Sequence, residues 1–359
     1  MINVTKTYLP DIHKYQSYIE KIFQNGWLTN NAQFVQELQQ ALSEYLGVRN
    51  LLLVSNGTMA LQVAYKVLNL KGKVITTPFS FVATTSSLVW ENLQPVFADI
   101  DPLTFNIDPM EVEKKLSADV SGIVATHVYG NACDVEALEH LARNRGIPLV
   151  FDAAHAFGVR DNKQSILNYG DISIISFHST KIFHTIEGGA LVFKDRNVFE
   201  RAKKMINFGI ESPTLVSEIG INCKMNEMEA AMGLCVLQDV DAVIEARKAR
   251  AEIYNQGLRG LGELQFQKRN LNFSNNYSHY PVAFRNEAVL LKIIEKMNKE
   301  GIFPRRYFYP SLNTLPYFQE RQEMPVSEDL TKRIMCLPLF HDLDEAVQSR
   351  IISIIKENL

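Results

Sequence analysis

Between residues 50 and 195 the chain alternates short apolar runs with longer amphipathic ones. Runs at 51–54, 73–76, 95–98, 122–126, 148–151, 172–176 and 189–193 have the length and the β-branched content of strands. Several of the gaps hold apolar residues at helical spacing. Val135-Glu-Ala-Leu-Glu-His-Leu-Ala-Arg-Asn is the clearest, with Asp134 placed to cap it and Gly146 to close it. Strands that are apolar throughout and separated by helices predict a mostly parallel sheet covered on both faces. Pro78, Pro95, Pro102 and Pro109 then mark loops and edges. Beyond Asn226 the period changes. A helical run from Glu227 to about Leu258 carries an apolar stripe over Met228, Ala231, Leu234, Cys235 and Leu237, and it ends in the basic patch Arg247-Lys248-Ala-Arg250. A helix of that length predicts a bridge between a large domain, residues 1–245, and a smaller C-terminal domain, residues 246–359. The Asn- and Ser-rich stretch 270–278 reads as a surface loop.

Composition narrows the function classes. With 359 residues, 46% of them hydrophobic, the chain can bury a core large enough for two domains. A net charge of −3 with mixed signs argues against nucleic acid or an anionic membrane as the main partner. No apolar stretch approaches the roughly 20 residues that span a bilayer, and no basic start followed by an apolar core suggests a signal peptide. Cys133, Cys223, Cys235 and Cys336 are scattered without metal-ligand spacing, which predicts reduced thiols, no metal and a cytoplasmic setting.

Three motifs carry chemistry. Lys181 follows the strand-like run ending in Ser176-Phe-His-Ser-Thr and precedes Ile186-Glu-Gly-Gly, so a polar turn holds it between two apolar strands. An ammonium walled in by such strands is either paired or deprotonated for chemistry; an exposed lysine on a strand-edge loop is the plainer reading of this residue alone. Upstream, Pro148-Leu-Val-Phe-Asp-Ala-Ala-His places Asp152 at the C-terminal end of a buried strand, where α/β folds bind ligands. In a pyridoxal phosphate site such an aspartate pairs with the protonated pyridine nitrogen and keeps the ring an electron sink. Further upstream, Ser55-Asn-Gly57-Thr58 joins a strand directly to a helix. Gly57, the free N–H groups of the first turn and the Thr58 hydroxyl together suit a phosphate.

These motifs, in this order, resemble the DegT/DnrJ/EryC1/StrS family of nucleotide-sugar aminotransferases. The resemblance runs through Gly26-Trp-Leu-Thr-Asn-Asn, Ser-Asn-Gly-Thr, Pro78-Phe-Ser-Phe-Val-Ala-Thr, Val96-Phe-Ala-Asp-Ile-Asp, Asp152-Ala-Ala-His-Ala, Ser176-Phe-His-Ser-Thr-Lys, Gly301-Ile-Phe-Pro and Cys336-Leu-Pro-Leu-Phe. It implies an α/β fold of the aspartate-aminotransferase-like type I, with a mostly parallel sheet in the large domain and a smaller C-terminal α+β domain. It also implies pyridoxal 5'-phosphate as cofactor and Lys181 as its anchor and proton-moving base. Phe81 then lies against the cofactor ring, Ser176 contacts the phosphate, and His155 sits near the ring hydroxyl. Read without the family, Phe81 and His155 fit a protein core equally well. Asn226 matches an asparagine that reaches the phosphate of a neighbouring subunit, which implies a homodimer with shared sites. The donor implied is L-glutamate, and the acceptor a dTDP-linked keto sugar, as in deoxy-amino sugar supply for lipopolysaccharide O-antigen. The segment Lys181-Ile-Phe-His-Thr-Ile-Glu-Gly-Gly is similar to the subgroup that aminates C4 of dTDP-4-keto-6-deoxy-D-glucose; C3 enzymes share the frame. His184 is a candidate to face the sugar or diphosphate, as is the arginine- and tyrosine-rich segment 301–310. Relatives that dehydrate sugars carry histidine in place of the lysine, and regulators on this frame add a DNA-binding domain; Lys181 and the chain length speak against both.

Overall fold

The computed structural model describes residues 1–318 and 320–359. All seven expected strands form, as Leu51–Val54, Lys73–Thr76, Gln94–Phe97, Val120–Thr126, Leu149–Asp152, Ile172–Ser176 and Gly189–Phe193. They build one sheet, which in chain order runs first, seventh, sixth, fifth, fourth, second, third. Five of its members run parallel from the second strand to the sixth, while the seventh is antiparallel to both of its neighbours.

Successive strand residues point to opposite faces, so each strand feeds two cores. Ile123, Phe151 and Ile175 face helix Gln33–Leu46 and the first half of helix Glu227–Leu258. Val124, Val150 and Ile174 face helix Gly57–Val67. Pro95 lies inside strand Gln94–Phe97, but that strand is the sheet's outer edge, where proline is tolerated. The open edge is occupied by one side chain. Gln322 Oε1 accepts from Phe97 N at 2.7 Å, and Gln322 Nε2 donates to the Pro95 carbonyl at 3.0 Å.

A third core assembles from the C-terminal residues around the antiparallel pair Tyr280–Ala283 and Ile334–Leu337, with helices Glu287–Lys299 and Glu345–Asn358. Helix Glu227–Leu258 joins it to the rest without a break: Val236, Val240 and Val243 pack in the sheet core, Tyr254 and Leu258 in the C-terminal one.

Two sequence expectations need correcting. The basic patch Arg247-Lys248-Ala-Arg250 does not end the long helix, which runs on to Leu258, and Arg247 is no free charge. It is buried, and its guanidinium donates to the carbonyls of Tyr277 at 2.9 Å and Ser278 at 2.6 Å. The stretch 270–278 is likewise only partly a surface loop, because Asn276 and Ser278 are buried. Asn276 Nδ2 donates to the carbonyls of His155 at 2.8 Å and Phe157 at 3.0 Å, which ties the loop to the turn after Asp152.

The long helix also serves another helix. Gln33–Leu46 begins after Ala32, which has no side-chain acceptor for the first-turn N–H groups. The buried Glu227 carboxylate accepts from Phe34 N at 2.7 Å and Val35 N at 3.2 Å instead. Glu227→Ala strands those donors and removes the charge that complements the helix N-terminus. Its unfolding free energy is expected to fall by about 2 kcal/mol, read as a lower urea midpoint at unchanged slope.

Candidate active site

The C-terminal ends of the parallel strands open into a cleft whose far wall comes from the C-terminal residues. Its floor is the turn between the first strand and helix Gly57–Val67. Asn56 caps that helix by accepting from Met59 N at 2.8 Å. Among the described residues, the N–H groups of Gly57 and Thr58 have no protein partner and are free for an anion. The turn is closely wedged. A Cβ on Gly57 would meet the Ser176 Cβ at 3.0 Å, and a Cβ on Gly189 would meet the Asn56 carbonyl carbon at 2.7 Å. Glycine at these two places is what lets strand Gly189–Phe193 and Ser176 close around the turn, and it explains half of the glycine pair after Lys181.

Asp152 ends the fifth strand and is buried. One oxygen accepts from Ala154 N at 3.1 Å and the other from the Thr84 hydroxyl at 2.7 Å. Burial pushes its carboxyl above the usual range, while those two donors and the Lys181 ammonium pull it back down. Lys181 lies on the turn between the sixth and seventh strands, with its N–H bonded to the His178 carbonyl at 2.9 Å. Its surroundings push the amine down to about 8, chiefly through desolvation and partly through Arg305, against the pull of Asp152.

His155 lines the same cleft, and its Nδ1 is buried without a partner. Its ring stacks on Phe308 with centroids 5.9 Å apart and lies 4.5 Å from the ring of His279. Burial, with the nearby Lys181 and His279, holds His155 well below the usual histidine range, so the ring is neutral. The expectation that His155 faces a ligand thus has an orphaned polar atom to support it. Phe81 lines the cleft and is 48% exposed, which makes it a poor core residue and an available ring face.

Gly57, Thr58, Phe81, Asp152, His155, Ser176 and Lys181 therefore meet in one place. Asn226 does not join them within a single chain. It caps helix Glu227–Leu258, with its side chain accepting from Glu229 N at 3.0 Å. His184 is a correction. It is buried away from the cleft, its Nε2 donates to the Tyr8 carbonyl at 2.7 Å, and its Nδ1 accepts from Ile186 N at 3.2 Å. Both ring nitrogens are satisfied, and no lone pair remains for a sugar. His178, three residues before Lys181, lines the cleft instead.

Sequence reasoning missed Ser80, Thr84 and Thr126 beside Asp152, and His279 on the far wall. Ser80 and Thr84 sit inside Pro78-Phe-Ser-Phe-Val-Ala-Thr, which was their signal; Thr126 and His279 have no motif of their own. The segment 301–310 did carry a signal, and the structure divides it. Arg305 and Tyr307 line the cleft with the guanidinium 4.4 Å from the ring centroid, whereas Arg306 is paired with Glu287 at 2.7 Å.

The donors fit pyridoxal phosphate: an open helix N-terminus for the phosphate, a buried carboxylate for the ring nitrogen, an orphaned histidine nitrogen, an aromatic face, and a lysine with a lowered pKa. A seven-stranded sheet with its last strand reversed and this lysine on the preceding turn defines a pyridoxal phosphate enzyme of fold type I. The chain belongs to the DegT/DnrJ/EryC1/StrS aminotransferase family, whose model matches residues 11–356. It is a pyridoxal phosphate-dependent aminotransferase. It is 38% identical to a dTDP-4-amino-4,6-dideoxy-D-glucose transaminase of Shigella dysenteriae, over 99% of this chain and 98% of that one. An Escherichia coli enzyme of the same name is 35% identical over the same shares. Among solved structures, DesI in the presence of its TDP-sugar product superimposes with a TM-score of 0.93 at 30% identity, covering 99% of this chain and 92% of that one.

Proposed function

We propose that the chain moves an amino group from L-glutamate to C4 of dTDP-4-keto-6-deoxy-D-glucose, giving dTDP-4-amino-4,6-dideoxy-D-glucose. The end-to-end similarity to two transaminases of that name carries the reading. The cleft supports it. Arg305 has no ion-pair partner among the described residues and faces the space beside Lys181, as an anionic substrate requires. Pyridoxal phosphate, when bound, supplies the carbonyl that takes up the amino group and the ring that accepts the electron pair released at the donor carbon. Gly57 and Thr58 would hold its phosphate through their N–H groups, together with the hydroxyls of Thr58 and Ser176. Phe81 would cover its ring, Asp152 would keep the ring nitrogen protonated, and His155 would meet the ring hydroxyl. Lys181 Nζ would anchor the group and, once freed, would take the proton from the donor carbon and hand it to the carbon that carried the cofactor's carbonyl. A lysine pushed down to about 8 has a useful neutral fraction near pH 7, which an ordinary one lacks.

The experiment is incubation with glutamate and a panel of 4-keto and 3-keto sugars linked to dTDP, GDP and UDP, with product masses and carbon positions read by spectrometry and NMR. A GDP or UDP product, or amination at C3, moves the assignment to another substrate. No product from any member rejects it.

We assign the domain boundary to helix Glu227–Leu258, near residue 245, with the cleft between the two parts. We also propose a cytoplasmic homodimer with shared sites, serving O-antigen or related amino sugars. No helix among the described residues is long and apolar enough to cross a membrane. The segment ahead of Asn226 exposes Phe208, Val216 and Ile219, an apolar surface suited to a second copy. Asn226→Asp tests the shared site, since aspartate caps a helix as well as asparagine but repels a phosphate. Cofactor affinity is expected to fall about tenfold with no loss of thermal stability in the cofactor-free protein. Unchanged affinity in the dimer, measured by cofactor absorbance alongside sedimentation, removes Asn226 from the site.

A further inference from the structure

Beside Asp152 lie three hydroxyl side chains that the mechanism above does not use, Ser80 and Thr126 in the cleft lining and Thr84 beneath it. Thr126 Oγ1 is 3.2 Å from Ser80 Oγ, Ser80 Oγ is 2.7 Å from Thr84 Oγ1, and Thr84 Oγ1 is 2.7 Å from Asp152 Oδ2. All three residues are buried. They come from the loop ahead of helix Val82–Trp90, the first turns of that helix, and the strand residue that pairs with Asp152 in the sheet.

A hydroxyl has one proton to donate, and the charge at the end of the chain decides where each proton points. An ionised carboxylate only accepts, so Thr84 donates to Asp152. Its proton is then committed, so Ser80 donates to Thr84 and Thr126 donates to Ser80. The three dipoles align toward the carboxylate, and each bond polarises the next. With Ala154 N on the other oxygen, Asp152 is held at both ends and still has lone pairs facing the cleft.

We propose that Thr84, aligned by Ser80 and Thr126, is a positioning residue that keeps Asp152 charged and turned toward the cofactor's ring nitrogen. This rests on the reading of Asp152 as that nitrogen's partner. The other groups facing the carboxylate are Lys181 across the cleft, His155 on the following turn and the Tyr65 hydroxyl on helix Gly57–Val67. His155 is neutral, and Tyr65 opposes the charge when ionised, so when the Lys181 amine is neutral the hydroxyl chain and the Ala154 N–H are what sustain it.

Thr84→Val keeps the shape and removes the donor, and Thr84→Ser keeps the donor. Thermal unfolding of the full chain, stripped of cofactor, is followed from acid to neutral pH. Burial raises the Asp152 pKa above its unfolded value, so stability falls as pH rises from the unfolded value to the folded one and levels off above it. Loss of the donor raises that cost further. Thr84→Val also strands the Ser80 proton at every pH, so its melting temperature is expected to lie below wild type by a constant amount at low pH and to drop progressively further toward neutrality, with Thr84→Ser following wild type. In an Asp152→Asn background the pH-dependent gap should vanish. In the loaded enzyme, Thr84→Val is expected to lose about ten- to a hundredfold in kcat/KM, the scale of one hydrogen bond to a charged group. A loss of melting temperature that does not widen with pH, or a pH-dependent widening that persists in the Asp152→Asn background, means that Thr84 only packs, and the proposal fails. A pH-dependent gap with normal kcat/KM also overturns it, and places the fault in the assignment of Asp152 rather than in the hydroxyl chain.

Discussion

Lys181→Ala is expected to lower turnover by a factor of about 10³ or more while leaving the fold intact. One amine is asked both to anchor the cofactor and to move the proton, and no second lysine among the described residues lines the cleft. Burial holds His155 and His279 well below the usual histidine range, which makes both weak bases. The fold should survive, because Lys181 bridges no carboxylate among the described ion pairs. Stability offers a second measure. The lysine pKa is lowered on folding, so between about 8 and the ordinary lysine value of 10.5 the unfolded chain holds a proton that the folded chain lacks. Cofactor-free wild type should gain stability as pH rises across that window, and Lys181→Ala should lose the gain. Turnover above a few per cent of wild type would remove Lys181 from the chemistry.

Asp152→Asn should cost about 10²- to 10³-fold in turnover and much less in cofactor retention. The amide keeps the volume and can still hydrogen-bond, but it supplies no charge to hold a ring nitrogen protonated. The substitution leaves untouched the phosphate contacts proposed for Gly57, Thr58 and Ser176, so binding should depend on it only weakly. The variant should still fold: its single amide oxygen can keep Ala154 N, its Nδ2 then faces Thr84, whose hydroxyl can turn to accept, and the burial that raises the carboxyl no longer acts on a charge. Stopped-flow absorbance with glutamate alone separates the two effects, since it reads cofactor occupancy as amplitude and proton removal as rate. Near-normal rates would show that Asp152 faces some other group.

Much of the sheet was legible because its strands are apolar on both faces and their ends are marked by Gly, Pro or Asp; 51–54, 73–76, 172–176 and 189–193 match residue for residue. Lys181, Asp152 and the Gly57 turn were legible for the same reason, since each is a polar interruption at the end of such a run. His184 failed because sequence proximity to Lys181 was taken for proximity in space, while the turn carries it under the N-terminal segment to meet the Tyr8 carbonyl. Asn276 failed because polar composition suggests exposure, whereas its amide bonds two backbone carbonyls inside the protein. Thr126 and His279 had no signal to find, and Ser80 and Thr84 had only their place in Pro78-Phe-Ser-Phe-Val-Ala-Thr, which does not say what they touch. Their roles come from which elements the fold brings beside and across from Asp152, a long-range fact that local pattern does not hold.

The unbroken helix Glu227–Leu258 has a further consequence for how the cleft works. At 1.5 Å per residue its 32 residues make a rod about 48 Å long, with one end in each core. Arg247, midway along, grips the carbonyls just before His279. Swinging the C-terminal part as a body would bend this rod and break the bonds from Asn276 to the carbonyls of His155 and Phe157. The far wall of the cleft is thus built at a set distance from Lys181 before any ligand arrives. Little reorganisation energy is spent in bringing His279 and Arg305 into place, and selectivity among sugars falls to the fixed width between those two walls.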